Sequence, residues 1–98
     1  MDLRKEVEDN HLIIYVSGRL DNLTSPLLAE EIKHLSDEIQ KLTLDFSSLE
    51  YMSSAGIRVI LTAEKLMKNR NGLVLRHIND AIREILDMTG LISFLTIE

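Results

Sequence analysis

A pair of serines followed by two small residues is the segment of this 98-residue sequence best suited to chemistry. Ser53 and Ser54 precede Ala55 and Gly56, between a strand-like and a helix-like segment. A helix N-terminus presents unpaired backbone N–H groups and the positive end of the helix dipole. A phosphate on Ser54 would therefore find amide donors, and the small residues leave its hydroxyl accessible to an enzyme. The alternative is that Ser53 or Ser54 simply caps the helix.

Other residues give weaker indications of chemistry. A hydrolase nucleophile at such a turn needs glycine two residues before the serine, where this chain has Met52. His11, His34 and His77 are scattered, no acidic cluster has ligand spacing, and cysteine is absent. We therefore expect no catalytic residue, no metal and no cofactor. A small serine hydrolase or small-ligand carrier stays open as an alternative.

The apolar pattern predicts strands that alternate with helices along the whole chain. Strands are predicted at residues 3–8, 12–16, 41–46 and 73–75, and residues 92–97 form a last short strand or pack along the sheet edge. This alternation is typical of an α/β sheet that is mostly parallel after an opening hairpin. We expect one domain, residues 1–98, with a mixed four- to five-stranded sheet covered mainly on one face by helices.

Three amphipathic helices are predicted between the strands. The first is capped by Thr24 or Ser25, with Pro26 at its first position. Its apolar stripe is formed by Leu28, Ile32, Leu35 and Ile39. The second begins at the serine pair, and its buried side is formed by Ile57, Ile60, Leu61 and Met67. The third is capped by Asn79.

The composition favours a protein partner over nucleic acid or a membrane. Sixteen acidic and 11 basic residues give a net charge of −5, which repels phosphate backbones and anionic lipid. No segment approaches the ~20 apolar residues of a membrane-spanning helix, and no apolar signal region follows Met1. The absence of cysteine fits a reducing compartment. We expect a soluble, cytoplasmic protein that is monomeric when free.

Three segments, in the same order along the chain, resemble one known family. The run from Leu44 to Leu61, with Met52-Ser53-Ser54-Ala55-Gly56 at its centre, is similar to the signature of STAS-domain anti-sigma-factor antagonists. These are bacterial partner-switching proteins. Gly18-Arg19-Leu20-Asp21 resembles their Gly-Glu-Leu-Asp turn, and Ile82–Leu86 with Thr89-Gly90-Leu91 resembles their third helix and the turn after it. The likeness spans nearly the whole chain, and the middle run is its most specific part.

The resemblance implies a phospho-switched binding module of STAS type and not an enzyme. Ser54, two residues before the glycine, would be phosphorylated by a cognate anti-sigma factor serine kinase. Many relatives carry Asp immediately before the phosphorylated serine. This chain has Ser53 at that position, and its hydroxyl makes it a rival acceptor of the phosphate. The unmodified domain would bind the kinase and release the sigma factor, and a phosphoserine phosphatase would reset it. A STAS interaction module in a pathway unrelated to sigma factors is the alternative.

The expected partner-binding surface surrounds Ser54. It comprises Asp21, Asn22, Thr24, Ser53, Gly56, Ile57 and Arg58. Asp21 either orients the serine, meets a basic group of the partner, or closes a turn through its own backbone. Thr24 either lines the site or caps the first helix. A phosphate at the centre of this surface adds about −1.5 to −2 charges, which must be desolvated when a partner binds.

Overall fold

The strands of the computed structural model, which describes residues 1–98, lie side by side in the order of the sequence. They are β1 (Asp2–Glu8), β2 (His11–Leu20), β3 (Lys41–Met52), β4 (Leu73–Arg76) and β5 (Thr96–Ile97). β1 and β2 form an antiparallel hairpin, and each later pair of neighbours is parallel. The predicted mixed sheet is confirmed, with five strands.

Each parallel crossover is made through a helix. α1 (Ser25–Lys33) joins β2 to β3, α2 (Ser54–Met67) joins β3 to β4, and α3 (Asp80–Met88) with a 3-10 turn (Leu91–Ser93) joins β4 to β5. Such crossovers are right-handed, and all three step in the same direction, so the helices lie on one face of the sheet. A single buried cluster accordingly contains Leu28 of α1, Ile60 of α2 and Ile82 of α3. No helix in the chain is both long and apolar enough to span a membrane.

Alternation along β2 separates the covered face of the sheet from its open face. Leu12, Ile14 and Val16 are buried in the core cluster beneath the helices. Ile13 and Tyr15 point the opposite way and are only half-buried. The open face is therefore the side of the sheet that the helices leave uncovered.

The first helix is shorter than the apolar stripe predicts. α1 ends at Lys33 with His34 as its C-cap, because the chain has to turn back toward the start of β3. Ile39 is still buried, but it reaches the core from the connecting loop. The amide of Gln40 fixes that loop by donating to the carbonyl of Asn10 at 2.8 Å. Three residues of the stripe are buried as predicted, whereas Leu35 is only half-buried, and the predicted extension of the helix to Ile39 is wrong.

The buried side of α2 is also rotated from the predicted one. Ile60 and Met67 are buried as expected, whereas Ile57 and Leu61 are half-buried. Val59, which the predicted buried side did not include, is buried. The difference arises because α1 packs against α2 and extends its contact surface beyond the part that faces the sheet.

A charged network crosses the open face on three neighbouring strands, where Tyr15, Asp45 and Arg76 are register partners. The Oδ2 atom of Asp45, a residue that is only 2% exposed, accepts from Arg76 Nε at 2.8 Å and lies 3.0 Å from His77 Nδ1. Its Oδ1 atom accepts from the amide of Ser47 at 2.9 Å. Arg76 Nη2 also donates to Tyr15 Oη at 3.3 Å. The network ties β2, β3 and β4 together without apolar cover.

The hydrogen bonds to Asp45 decide its ionisation. Burial alone would raise the pKa of this carboxyl, but the donors on Ser47, Arg76 and His77 outweigh burial and lower the pKa from 3.8 to about 2. The same pairing raises the pKa of the Arg76 guanidinium. Asp45 is therefore a charged carboxylate at neutral pH, and it holds β3 against β4.

Candidate functional site

The residues expected to form the site meet where the parallel strands end. The amide of Ser53 donates to the carbonyl of Leu20 at 2.9 Å and so fastens the end of β3 to the end of β2. The Asp21 loop that follows β2 is thereby held beside the start of α2. The Arg19 guanidinium lies 4.3 Å from the centre of the Tyr51 ring and links the same two strands.

The two serines have different environments. Ser53 is the N-cap of α2, with extended backbone, and its Oγ accepts from the amide of Ala55 at 3.2 Å. Ser54 is the first residue of the helix and is exposed, and its hydroxyl makes no hydrogen bond within the chain. The sequence allowed either serine to cap the helix, and the structure shows that Ser53 does so. The hydroxyl without a hydrogen bond is that of Ser54.

The first turn of α2 carries uncompensated positive potential. The amides of Ser54 and Gly56 have no acceptor within the chain. No acidic residue lies in this turn, whereas the first turn of α3 contains Asp80. Negative charge placed at Ser54 would therefore be stabilised by the helix dipole and by free N–H groups.

Gly56 is buried and cannot touch a partner, which corrects its expected place on the binding surface. A Cβ atom added there would lie 2.8 Å from Met52 Cγ and 2.9 Å from Leu20 Cδ2. The reason is that the first turn of α2 packs directly on the ends of β2 and β3. Because Gly56 has no side chain, the helix can begin this close to the sheet. Gly56 therefore determines how far Ser54 lies from the ends of β2 and β3.

Replacing Gly56 with alanine should therefore destabilise the fold. We expect Gly56→Ala to lower the free energy of unfolding by about 1–2 kcal/mol, because overpacking against Leu20 and Met52 outweighs the better helix propensity of alanine. Urea unfolding measures this difference. A midpoint equal to or above that of the wild type would show that the neighbouring side chains have room for the methyl group.

Asp21 and Thr24 close the turn that leads into α1. Asp21 Oδ1 accepts from the amides of Leu23 and Thr24, both at 3.1 Å. The Thr24 amide is the main reason that the pKa of Asp21 is lowered. Thr24 Oγ1 accepts from the Asp21 amide at 2.9 Å and donates to the Arg19 carbonyl at 2.7 Å, so it makes no capping bond to α1. Neither side chain bonds to Ser54, and both fix the loop instead.

Two leucines that the sequence patterns did not single out lie on this edge of the molecule. Leu23, at the tip of the Asp21 loop, is 87% exposed, and Leu27, in the first turn of α1, is 56% exposed. A signal was available, because Leu23 is the one apolar residue of a polar loop and Leu27 lies off the stripe that starts at Leu28. Single exposed apolar side chains are ordinary on protein surfaces, and Met88 and Phe94 of this chain are exposed as well, so exposure alone assigns the two leucines no function.

A cleft of about 450 Å³ separates the starts of α1 and α2. Its walls include Asn22, Pro26 and Ala29 on one side and Ala55 and Arg58 on the other. We call the exposed surface formed by the Asp21 loop and the first turns of α2 the docking face, and it consists of Asn22, Leu23, Ser54 and Arg58, of which Asn22 and Arg58 line the cleft. Ile57 packs against the core and only borders this face.

The histidines are engaged elsewhere in the fold. His11 Nε2 lies 2.7 Å from Thr43 Oγ1, His34 Nε2 lies 2.9 Å from Glu30 Oε2, and His77 contacts Asp45. No histidine hydrogen-bonds to Ser53 or Ser54. No group of three or more His, Asp or Glu side chains is arranged to hold a metal ion.

Comparison with known proteins agrees with this fold. The chain belongs to the STAS domain family, whose model matches residues 2–98. It is similar to the anti-sigma-B factor antagonist of Listeria monocytogenes, with 31% identity over 96% of this chain and 84% of that protein. Among solved structures, an anti-sigma factor antagonist from Mycobacterium paratuberculosis superposes with a TM-score of 0.88 at 24% identity, covering 98% of this chain and 83% of that one. The Bacillus cell fate determinant SpoIIAA in its phosphorylated form gives a TM-score of 0.77 at 18% identity, covering 99% and 91%.

Proposed function

We propose that the chain is an anti-sigma factor antagonist whose activity is switched at Ser54. In its unmodified form it binds an anti-sigma factor kinase through the docking face and so releases the sigma factor. Phosphorylation of Ser54 by the same kinase ends this binding, and a phosphoserine phosphatase restores it. The protein is then a substrate and binding partner of the kinase, and it performs no catalysis itself.

The free hydroxyl of Ser54 is the observation that carries the proposal. A kinase must reach the serine oxygen from solvent. Ser54 is exposed, whereas Ser53 is half-buried and its Oγ already accepts a hydrogen bond from the Ala55 amide. The transferred phosphate would sit at the N-terminus of a 14-residue helix, where negative charge is favoured. The modified chain can therefore keep its fold, which suits a switch that acts on binding alone.

The docking face supplies the contacts that a protein partner would use. Leu23 offers an apolar anchor, and the cleft between α1 and α2 can receive a side chain of the partner. Ser54 and Arg58 lie on the α2 side of this surface. The relatives that match the chain over most of its length are anti-sigma factor antagonists. This supports an anti-sigma factor that is itself a kinase as the partner.

Phosphate mapping tests the proposed site. The purified chain is incubated with the anti-sigma factor kinase of the same cell and ATP, and the modified residue is identified by mass spectrometry. We expect one phosphate on Ser54, none in Ser54→Ala, and full modification in the matched variant Ser53→Ala. Phosphate on Ser53 in the wild-type chain would move the site by one residue, and a chain that the kinase leaves unmodified would contradict the proposal.

A further inference from the structure

Arg58 lies one helical turn after Ser54 on α2. Residues four apart in a helix share a face, with their Cβ atoms about 5–6 Å apart. The first residue of α2 and the fifth are therefore neighbours on the surface. The Arg58 side chain is exposed, makes no hydrogen bond and has no carboxylate within ion-pair distance. Its guanidinium is free to bind an anion at Ser54.

This availability is unusual among the arginines of the chain. Four of the six have a carboxylate partner, namely Arg4 with Glu6 at 2.7 Å, Arg19 with Asp21 at 3.9 Å, Arg70 with Asp37 at 3.5 Å and Arg76 with Asp45 at 2.8 Å. Arg58 and Arg83 have none. Arg83 lies on α3 and offers a comparison for Arg58.

We propose that the Arg58 guanidinium binds the phosphoryl group of phosphorylated Ser54 within the same helix. The inference rests on the proposed function, since it concerns the phosphate which that function places on Ser54. Guanidinium forms paired, charge-assisted hydrogen bonds to phosphate oxygens, and an i,i+4 spacing allows them without moving the backbone. The unpaired amides of Ser54 and Gly56 lie at the same helix end and add to the attraction.

The switch then acts on the docking face in two ways. Phosphorylation adds negative charge, and it also removes Arg58 from the groups available to a partner. In the unmodified chain Arg58 forms part of the cleft wall, where it can meet an acidic side chain of the partner. In the phosphorylated chain the same guanidinium is occupied. One modification thus eliminates a favourable contact and introduces an unfavourable charge.

The test uses full-length chain with phosphoserine incorporated at position 54 during synthesis, so that no kinase is needed. The second pKa of the phosphate is measured by 31P NMR titration in the wild type, Arg58→Ala, Arg58→Lys and Arg83→Ala. We expect Arg58→Ala to raise this pKa by about half a unit, since a bound cation favours the dianion. Arg58→Lys should give a smaller rise, and Arg83→Ala none. Equal values in the wild type and Arg58→Ala would overturn the inference.

Kinase binding by the same samples separates this inference from the proposed function. If phosphoserine at position 54 abolishes binding while its pKa is independent of Arg58, the phosphoryl contact is wrong and the switch stands. If the pKa depends on Arg58 while the kinase binds both forms equally, the contact stands and the proposed function fails.

Discussion

Ser54→Asp is expected to weaken binding of the anti-sigma factor kinase by more than a hundredfold, whereas Ser54→Ala keeps the affinity of the unmodified chain within a few-fold. The aspartate places a full charge on the docking face, where it must be desolvated as the partner binds. A loss of about 3 kcal/mol corresponds to that factor. Alanine removes only a hydroxyl that makes no hydrogen bond within the chain.

Isothermal titration calorimetry with the kinase measures the series, and Ser54→Asn provides the matched control. Asparagine has nearly the size of aspartate without its charge, so it should bind far more tightly than Ser54→Asp. An acidic residue in the first turn of α2 is compatible with the helix dipole, and circular dichroism should show all three variants folded. If Ser54→Asp binds as tightly as the unmodified chain, charge is not the basis of the switch.

Asp45→Asn should cause the largest loss of stability among single substitutions on the open face. We expect the free energy of unfolding to fall by about 3 kcal/mol, because Arg76 stays partly buried after losing its carboxylate partner. For a domain of this size such a loss lowers Tm by more than about 10 °C. Thermal and urea unfolding measure it. Glu6→Gln is the control, since Glu6 is an exposed carboxylate that accepts from Tyr15 Oη at 3.2 Å and should matter by less than about 1 kcal/mol.

The same carboxylate predicts how stability depends on pH. Its folded-state pKa of about 2 lies below the unperturbed 3.8, so its stabilisation is complete above about pH 5 and is lost as the pH falls toward 2. The difference amounts to about 2 kcal/mol. Wild-type unfolding profiles should show this loss on acidification, and the profile of Asp45→Asn should be flatter over the same range. Parallel profiles would show that Asp45 is not the responsible group.

Periodicity alone was sufficient to identify most of the fold. The apolar runs located the strands and the helices, because each helix and strand except β1 and β5 buries residues in the core. The periodicity did not locate the end of the first helix, because a buried Ile39 fits both a longer helix and a loop that returns to the core. The contact between Asp45 and Arg76 could not be predicted either. It depends on the register of β3 against β4, which local sequence patterns do not encode.

Some features of the candidate site could likewise be predicted from the sequence, and others could not. The serine pair could be recognised from its position before an amphipathic helix, but both serines fit a cap until the backbone of Ser53 was known. Gly56 was expected on the partner-binding surface because it lies in the first turn of α2 beside Ser54, whereas here it permits close packing. The roles of Asp21 and Thr24 were left open because turn closure and partner contact use the same side-chain oxygens.

Amide hydrogen exchange of the chain with and without the bound kinase tests most directly whether Ser54 lies within the docking surface. We predict that protection on binding is concentrated in residues 22–27 and 54–58. The open face around Tyr15 and Arg76 should exchange as it does in the free chain. Protection confined to the open face, with residues 54–58 unchanged, would contradict the proposed function.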